Sequence, residues 1–220
     1  MHRTSIPEFA VSRGQLMRPT FVVDGTKTAV IAIDFQRFFI DEDQPMGNAH
    51  ARDILDNANR LHTAVRNAGG IVVFTQHSMG PQEELNSAGE PIATLPPQRK
   101  NQLALLPGSP AYDLHPALVR SEHDWKVVKF QSSPLHPQAA TNLDDKLRKY
   151  GINTIIVSGL VTNGCCDCTA RDAFQYGYNV TVATDATAAM TDEEHNASLL
   201  NLTLYYAHTR TVDEIIAALA

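Results

Sequence analysis

Five short runs of apolar, largely β-branched residues punctuate the chain: 28–33, 71–75, 127–128, 154–158 and 180–184. Each is too short for a helix and is bounded by polar or turn residues, a pattern that predicts buried strands. Between them the apolar period changes to that of a helix. Asp53 is placed to cap a helix whose apolar face is Ile54, Leu55, Ala58, Leu61, His62 and Val65, closed by Gly69-Gly70. A second helix is predicted from about Gln138 to Tyr150. A third follows Cys165, with Cys166, Ala170, Ala173, Phe174 and Gly177 at helical spacing. Thr191 with Glu194, and Thr211 with Glu214, read as capping boxes that open the last two helices.

Strands that are continuous apolar runs, alternating with helices, imply a parallel sheet covered on both faces. The expected fold is therefore α/β, an open, mostly parallel sheet of about six strands with helices on both faces, in Rossmann-like three-layer form. Residues 1–26 contain Pro7, Pro19 and Gly25 without a sustained period and are expected to form an irregular N-terminal arm. Residues 27–220 are expected to form a single domain. It is interrupted at 78–124 by a Pro-rich excursion with Pro81, Pro91, Pro96-Pro97, Pro107, Pro110 and Pro116, read as a lid or a subunit contact.

Composition narrows the function. At 220 residues and 43% hydrophobic content the chain can bury a full core. No apolar run approaches a membrane span, and Met1-His2-Arg3-Thr4-Ser5 begins no signal core. Three cysteines, two of them adjacent, argue against a disulfide framework and for a reducing cytoplasm. The net charge of −6, with no basic stripe, argues against nucleic acid as a partner.

In open parallel sheets the ligand crevice lies beyond the carboxyl ends of the strands. The candidates are the polar residues that end each strand: Asp34, Gln76 or His77, Lys129, Cys165 and Asp185. Lys126 lies at the entry end of its strand, so Lys129 is the lysine that should reach the crevice. Cys165 sits at a strand-to-helix turn, where unpaired backbone N–H groups, the helix dipole and a nearby cation favour a thiolate. A carboxylate can accept the thiol proton and a lysine can balance the charge, which is the chemistry of an activated nucleophile.

Other readings of the same residues stand beside this one. Cys165 to Cys168 is also a C-x-x-C at a helix start, the spacing of a dithiol redox site. Cys166 and Cys168 otherwise read as packed thiols, and Asp185 as a cap for the next turn. His77 either lines a pocket or makes a structural hydrogen bond, and Phe39 is a pocket wall or core. His62 and His195 read as core or interface residues, and Arg171 and Asp172 as structural partners near a helix start.

Three motifs resemble those of the isochorismatase-like cysteine hydrolases, a superfamily that includes nicotinamidases, N-carbamoylsarcosine amidase and ureidoacrylate amidohydrolase. They are Ile31-Ala32-Ile33-Asp34-Phe35-Gln36, Val127-Val128-Lys129 with Ser132-Ser133, and Gly159 to Ala173 with its Thr162-Asn163-Gly164-Cys165 and Thr169-Ala170-Arg171-Asp172-Ala173. The second departs from the family pattern at Pro134-Leu135, where a small residue and Phe are usual. The resemblance covers Thr28 to the C-terminus. It implies an Asp34–Lys129–Cys165 triad, a non-proline cis peptide between Leu160 and Val161, and an oxyanion hole from the Val161 and Cys165 amides. Gln36, Phe39, His77 and Thr162 are the candidate substrate-binding residues.

Nicotinamidases carry an Asp-x-His metal set after the second strand, where this chain has Thr75-Gln76-His77-Ser78-Met79. The resemblance therefore implies the metal-free amidase branch, with no cofactor and no metal. It implies a small amide or carbamoyl substrate cleaved through a thioester, in a homodimer or homotetramer. Vinyl-ether hydrolysis of the isochorismatase type is the alternative within the superfamily. A non-catalytic scaffold is the alternative outside it.

Overall fold

The computed structural model describes residues 1–18, 20–78, 104–139 and 141–219. Six parallel strands form one sheet: β1 (Thr28–Ile33), β2 (Ile71–His77), β3 (Trp125–Lys129), β4 (Thr154–Leu160), β5 (Asn179–Ala188) and β6 (His208–Arg210). Their order is β3-β2-β1-β4-β5-β6, so the order reverses between β1 and β4. The described helices are α1 (Glu8–Met17), α2 (Arg37–Ile40), α3 (Ala49–Asp53), α4 (Leu55–Asn67), α5 (Leu143–Lys149), α6 (Asp167–Gln175), α7 (Asp192–Tyr205) and α8 (Val212–Leu219).

Sheet burial explains which strands were legible. β1 and β4 are buried at every position, as expected of central parallel strands. β3 lies at an edge and alternates partly exposed and exposed positions up to the buried Lys129 at its end, and β6 is only half-buried at the other edge. One core layer packs Val30, Ala32, Val72 and Phe74 of the sheet against Leu61 and Val65 of α4 and Ile215 of α8. The opposite layer packs Ile31, Ile33, Ile155 and Val157 against Leu147 of α5, Ala170 of α6 and Leu199 of α7. Both predicted capping boxes are present: the Thr191 and Thr211 hydroxyls accept from the Glu194 and Glu214 N–H groups, and each glutamate carboxylate accepts in return.

Four expectations need correction. Residues 1–26 are not an irregular arm, because α1 packs on α7 through Ala10 and Gly14. A Cβ on Gly14 would stand 2.2 Å from the Thr203 carbonyl oxygen, so that contact requires glycine. Asp53 does not cap α4. Asn48 caps α3 by accepting from Ala51 N–H at 2.9 Å, and the chain bends at Ile54 before α4 begins. The helix predicted from Gln138 is confined to α5, because Asn142 sits at φ 51° just before it. Phe174 of α6, at helical spacing with the core positions, lies outside the core, partly exposed and edge-on to Tyr206.

Of the Pro-rich excursion, 79–103 lies outside the described residues, including Met79, Pro81, Pro91 and Pro96-Pro97. The later part folds back on its own domain. Leu105, Ala111, Leu114 and Leu118 join the core beside α4. Leu114 bridges to Gln36, the Asp113 carbonyl accepts from Arg37 N–H at 2.9 Å, and Asp124 pairs with Arg66 at 2.8 Å.

Candidate active site

β1 and β4 are neighbours where the strand order reverses, and their backbones pass close together at Ile33 and Gly159. Gly159 has φ +116°, and a Cβ there would lie 2.0 Å from the Ile33 carbonyl oxygen. Asp34 follows at once with φ 49°, a left-handed backbone uncommon for a non-glycine residue and a recurrent mark of functional positions. Its side chain is fully buried. The Asp34 Oδ2 atom is 2.7 Å from Lys129 Nζ, and that ammonium donates to Cys165 Sγ at 3.4 Å. Acid, lysine and thiol thus arrive from the carboxyl ends of β1, β3 and β4.

The turn that carries Cys165, Thr162–Cys166, leaves helical geometry at Gly164 (φ −127°, ψ −105°) before α6 begins. The Leu160–Val161 peptide before it is cis. The Val161 carbonyl accepts from the Gly164 and Cys166 N–H groups at 3.0 and 3.2 Å, and the Cys165 carbonyl accepts from the Thr169 hydroxyl at 2.6 Å.

Electrostatics reverse one expectation. Burial first, and then the Asp34 charge, push the Cys165 thiol up to about 12, with Lys129 only partly opposing them. The resting group is a thiol, not a thiolate. Burial alone would lower the Lys129 ammonium, but Asp34 and Cys165 outweigh it and the net shift is upward. The low dielectric that strengthens this ion pair also penalises a second negative charge beside it.

The other candidates divide. The His77 ring meets Lys129 Nζ at 3.4 Å through Nδ1. Burial first, then the Lys129 charge, lowers its imidazole to about 4, so it is neutral. Gln36 is fully buried and its amide serves the backbone: it donates to the His77 and Tyr112 carbonyls at 3.1 and 2.9 Å and accepts from His77 N–H at 2.7 Å. Phe39 belongs to the core and stacks edge-on with Phe38. The Thr162 hydroxyl faces α7, bonded to His195 Nδ1 at 2.9 Å. Gln76 donates to the Tyr112 carbonyl at 3.0 Å.

Asp185 accepts from Val212 N–H at 2.8 Å, so it caps α8, and it also accepts from Asn57. Arg171 pairs with Asp167. His62 is core, bonded to Ser158 at 3.0 Å and packed edge-on to Phe35 and Phe74. All three cysteines are free; Cys166 is buried, but Cys168 is exposed and is not a packed thiol.

Two contributors escaped the sequence reading. The Thr75 hydroxyl donates to Asp34 Oδ1 at 2.6 Å, and the Gln131 carbonyl accepts from Lys129 Nζ at 3.2 Å. The first follows from β1–β2 register, which motif spacing does not encode. The second is a backbone group and carries no sequence signal.

Among the described residues, His2, His50 and Asp192 lie close enough together to hold a metal ion. They do not suit it. His2 Nε2 accepts from Ala189 N–H at 3.0 Å, which leaves the ring proton on Nδ1, bonded to Asp192 at 2.7 Å. Coordination at Nδ1 by a neutral ring would set two donors against each other at Ala189.

The isochorismatase domain matches residues 28–214. The chain belongs to the isochorismatase family. Among its relatives is nicotinamidase 3 of Arabidopsis thaliana, 30% identical over 189 residues, covering 85% of this chain and 86% of that protein. Another is the ureidoacrylate amidohydrolase RutB of Yersinia enterocolitica, 28% identical, covering 88% and 89%. The crystal structure of a cysteine hydrolase from Pseudomonas syringae pv. phaseolicola 1448A superposes with a TM-score of 0.77 at 25% identity, covering 91% of this chain and 95% of that one. The family, its hydrolase character and its α/β fold thus agree with the three motifs.

Proposed function

We propose that this chain hydrolyses a C–N bond of a small amide or carbamoyl compound through a thioester on Cys165. One observation carries the reading: a single buried ammonium, Lys129 Nζ, touches both the Asp34 carboxylate and the Cys165 sulfur. Asp34 takes the Sγ proton, and the thiolate attacks the substrate carbonyl. Lys129 exchanges its carboxylate partner for the thiolate, so the step moves the ion pair without creating net charge. The Val161 and Cys165 amides receive the developing oxyanion, each donor contributing about 2.7–4 kcal/mol. The leaving amine collects the proton from Asp34. Water, with Asp34 again as base, then releases the acid.

Two relatives are named for cleavage of nicotinamide and of ureidoacrylate, which supports an amide or carbamoyl substrate class. Vinyl-ether hydrolysis requires the aspartate but no thiol, so Cys165 favours amide chemistry. The three positions that follow Phe74 each have protein partners: Thr75 with Asp34, Gln76 with Tyr112, His77 with Lys129. This supports a metal-free reaction.

The test is a screen of small amides, ureides and carbamates for ammonia release, with Cys165→Ala in parallel. Release that disappears in the variant supports the reading. Undiminished release in Cys165→Ala, or none from any compound, opposes it.

A further inference from the structure

Thr162 stands in sequence between the two amides assigned to the oxyanion, and its hydroxyl faces away from the reaction. The turn that holds it leaves helical geometry at Gly164, so helical hydrogen bonding alone does not set the spacing of Val161 and Cys165. Val161 and Gly164 carry no polar side chain and Asn163 is exposed, whereas Thr162 is fully buried. Two residues of α7, three apart and on one face, meet Thr162 at its two oxygens. His195 Nδ1 lies 2.9 Å from the hydroxyl, and Ser198 Oγ lies 3.2 Å from the carbonyl. Ser198 has one proton to give and Asp167 Oδ2 is nearer, at 2.7 Å, which makes His195 the firmer hold.

We propose that His195 is a positioning residue: by holding Thr162 it fixes the Val161 and Cys165 amides that receive the oxyanion, a role that rests on the thioester reading and deepens it.

The imidazole is itself held on its remaining sides. Nε2 lies 3.3 Å from the Thr4 hydroxyl, and one face stacks on His2, with centroids 4.3 Å apart and planes 12° from parallel. His2 is fixed in turn, accepting from Ala189 N–H at 3.0 Å through Nε2 and bonded to Asp192 at 2.7 Å through Nδ1. The support of the site thus reaches back to residues 2–4. A hydroxyl both donates and accepts, so either tautomer of a neutral His195 bonds Thr162. A turn held in this way needs no rearrangement when charge develops on the carbonyl oxygen.

Two reagents separate this role from general packing. p-Nitrophenyl acetate acetylates the thiolate through a tetrahedral oxyanion: sulfur bonds to the carbonyl carbon, the ester C–O bond breaks, and p-nitrophenolate leaves. Iodoacetamide alkylates the same sulfur by displacing iodide and forms no oxyanion. Both rates are measured at Cys165, by p-nitrophenolate release and by peptide mass spectrometry, with Cys165→Ala as the blank. His195→Leu and Thr162→Val should each slow acetylation by about 10- to 100-fold, the range that a small misplacement of reacting groups costs, and leave alkylation near the parent rate. The double variant should be no slower than the slower single, because both changes break one link. His195→Asn keeps a polar atom at the Nδ1 position and should restore most of the rate. His195→Gln places its amide at the Nε2 position and should not. Thr162→Val keeps the side-chain shape, so it reports on the link even if His195→Leu does not fold.

Equal slowing of both reactions, additive losses in the double variant, or His195→Asn no better than His195→Gln would overturn the proposal. Failure of the thioester reading would appear differently, as release of p-nitrophenolate undiminished in Cys165→Ala.

Discussion

Thr75 and Asp34 hold each other twice: the Thr75 hydroxyl donates to Asp34 Oδ1 at 2.6 Å and accepts from Asp34 N–H at 3.1 Å. The pair is fully buried, and it ties the carboxylate to its own left-handed backbone. The second oxygen is thereby directed to Lys129. A base aimed in this way needs no reorientation when the proton moves.

Thr75→Val should therefore lower kcat with little change in KM. A hydrogen bond to a charged group is worth about 1.5–3 kcal/mol, which corresponds to a loss of roughly 10- to 150-fold. Thr75→Ser keeps the hydroxyl and should recover most of the rate. Steady-state kinetics on the two variants decide the matter, and equal loss in both would assign Thr75 a packing role only.

The free enzyme should alkylate slowly at neutral pH, with a rate that climbs steadily toward alkaline pH. Burial and the Asp34 charge both hold the Cys165 thiol up. Asp34→Asn removes the negative charge and should speed labelling while abolishing turnover, because thiolate stability and general-base function then part company. Labelling of Cys165 and ammonia release, measured on the same preparations, give both signs. Fast labelling of the parent at pH 7 would show a preformed thiolate.

Stability should fall on mild acidification. Burial lowers the His62 imidazole to about 3 and that of His195 to about 4, against an ordinary value of about 6.5. Above about pH 6.5 folded and unfolded chains are both neutral at these rings. Below it the unfolded state takes up protons that the folded state refuses, so each ring removes about 1.4 kcal/mol per pH unit until its folded pKa is reached. Urea unfolding between pH 7 and 4.5 measures the slope. His62→Leu should be less stable at pH 7 but show a flatter decline, and an unchanged slope would remove His62 from the account.

Activity should survive prolonged treatment with EDTA or phenanthroline. The residues after Phe74 are engaged by protein partners, and His77 uses Nδ1 on Lys129. Loss of turnover restored by added Zn²⁺ or Mn²⁺ would contradict this.

The sequence exposes the sheet and the three residues that meet at its carboxyl edge. Asp34 is the first polar residue after a central, uniformly apolar strand; Lys129 ends an edge strand, and Cys165 is marked by the strand-to-helix turn that follows β4. What it hides depends on register and burial. Glu8–Met17 buries only Ala10 and Gly14, which leaves no apolar period to mark α1 as a helix. Gln36 has the family position of a site residue, yet its amide serves the backbone at His77 and Tyr112, a partner supplied by a segment that folds back from 76 residues away. Thr162 likewise turns to His195, 33 residues on, and away from the thiol beside it in sequence. The spacing around Cys165 reveals a helix dipole that favours a thiolate, but it does not reveal the depth of burial that raises the thiol.

The most direct test of the central claim is to catch the thioester. A slowly turned-over amide found by screening is mixed with the enzyme, quenched in acid within the first turnovers and analysed by peptide mass spectrometry. The account predicts an acyl adduct on the Cys165 peptide, absent in Cys165→Ala, retained in Cys168→Ser and slowed several hundred-fold in Lys129→Ala, a cost of about 3–4 kcal/mol. An adduct on Cys168, or full turnover without an adduct on Cys165, would contradict it.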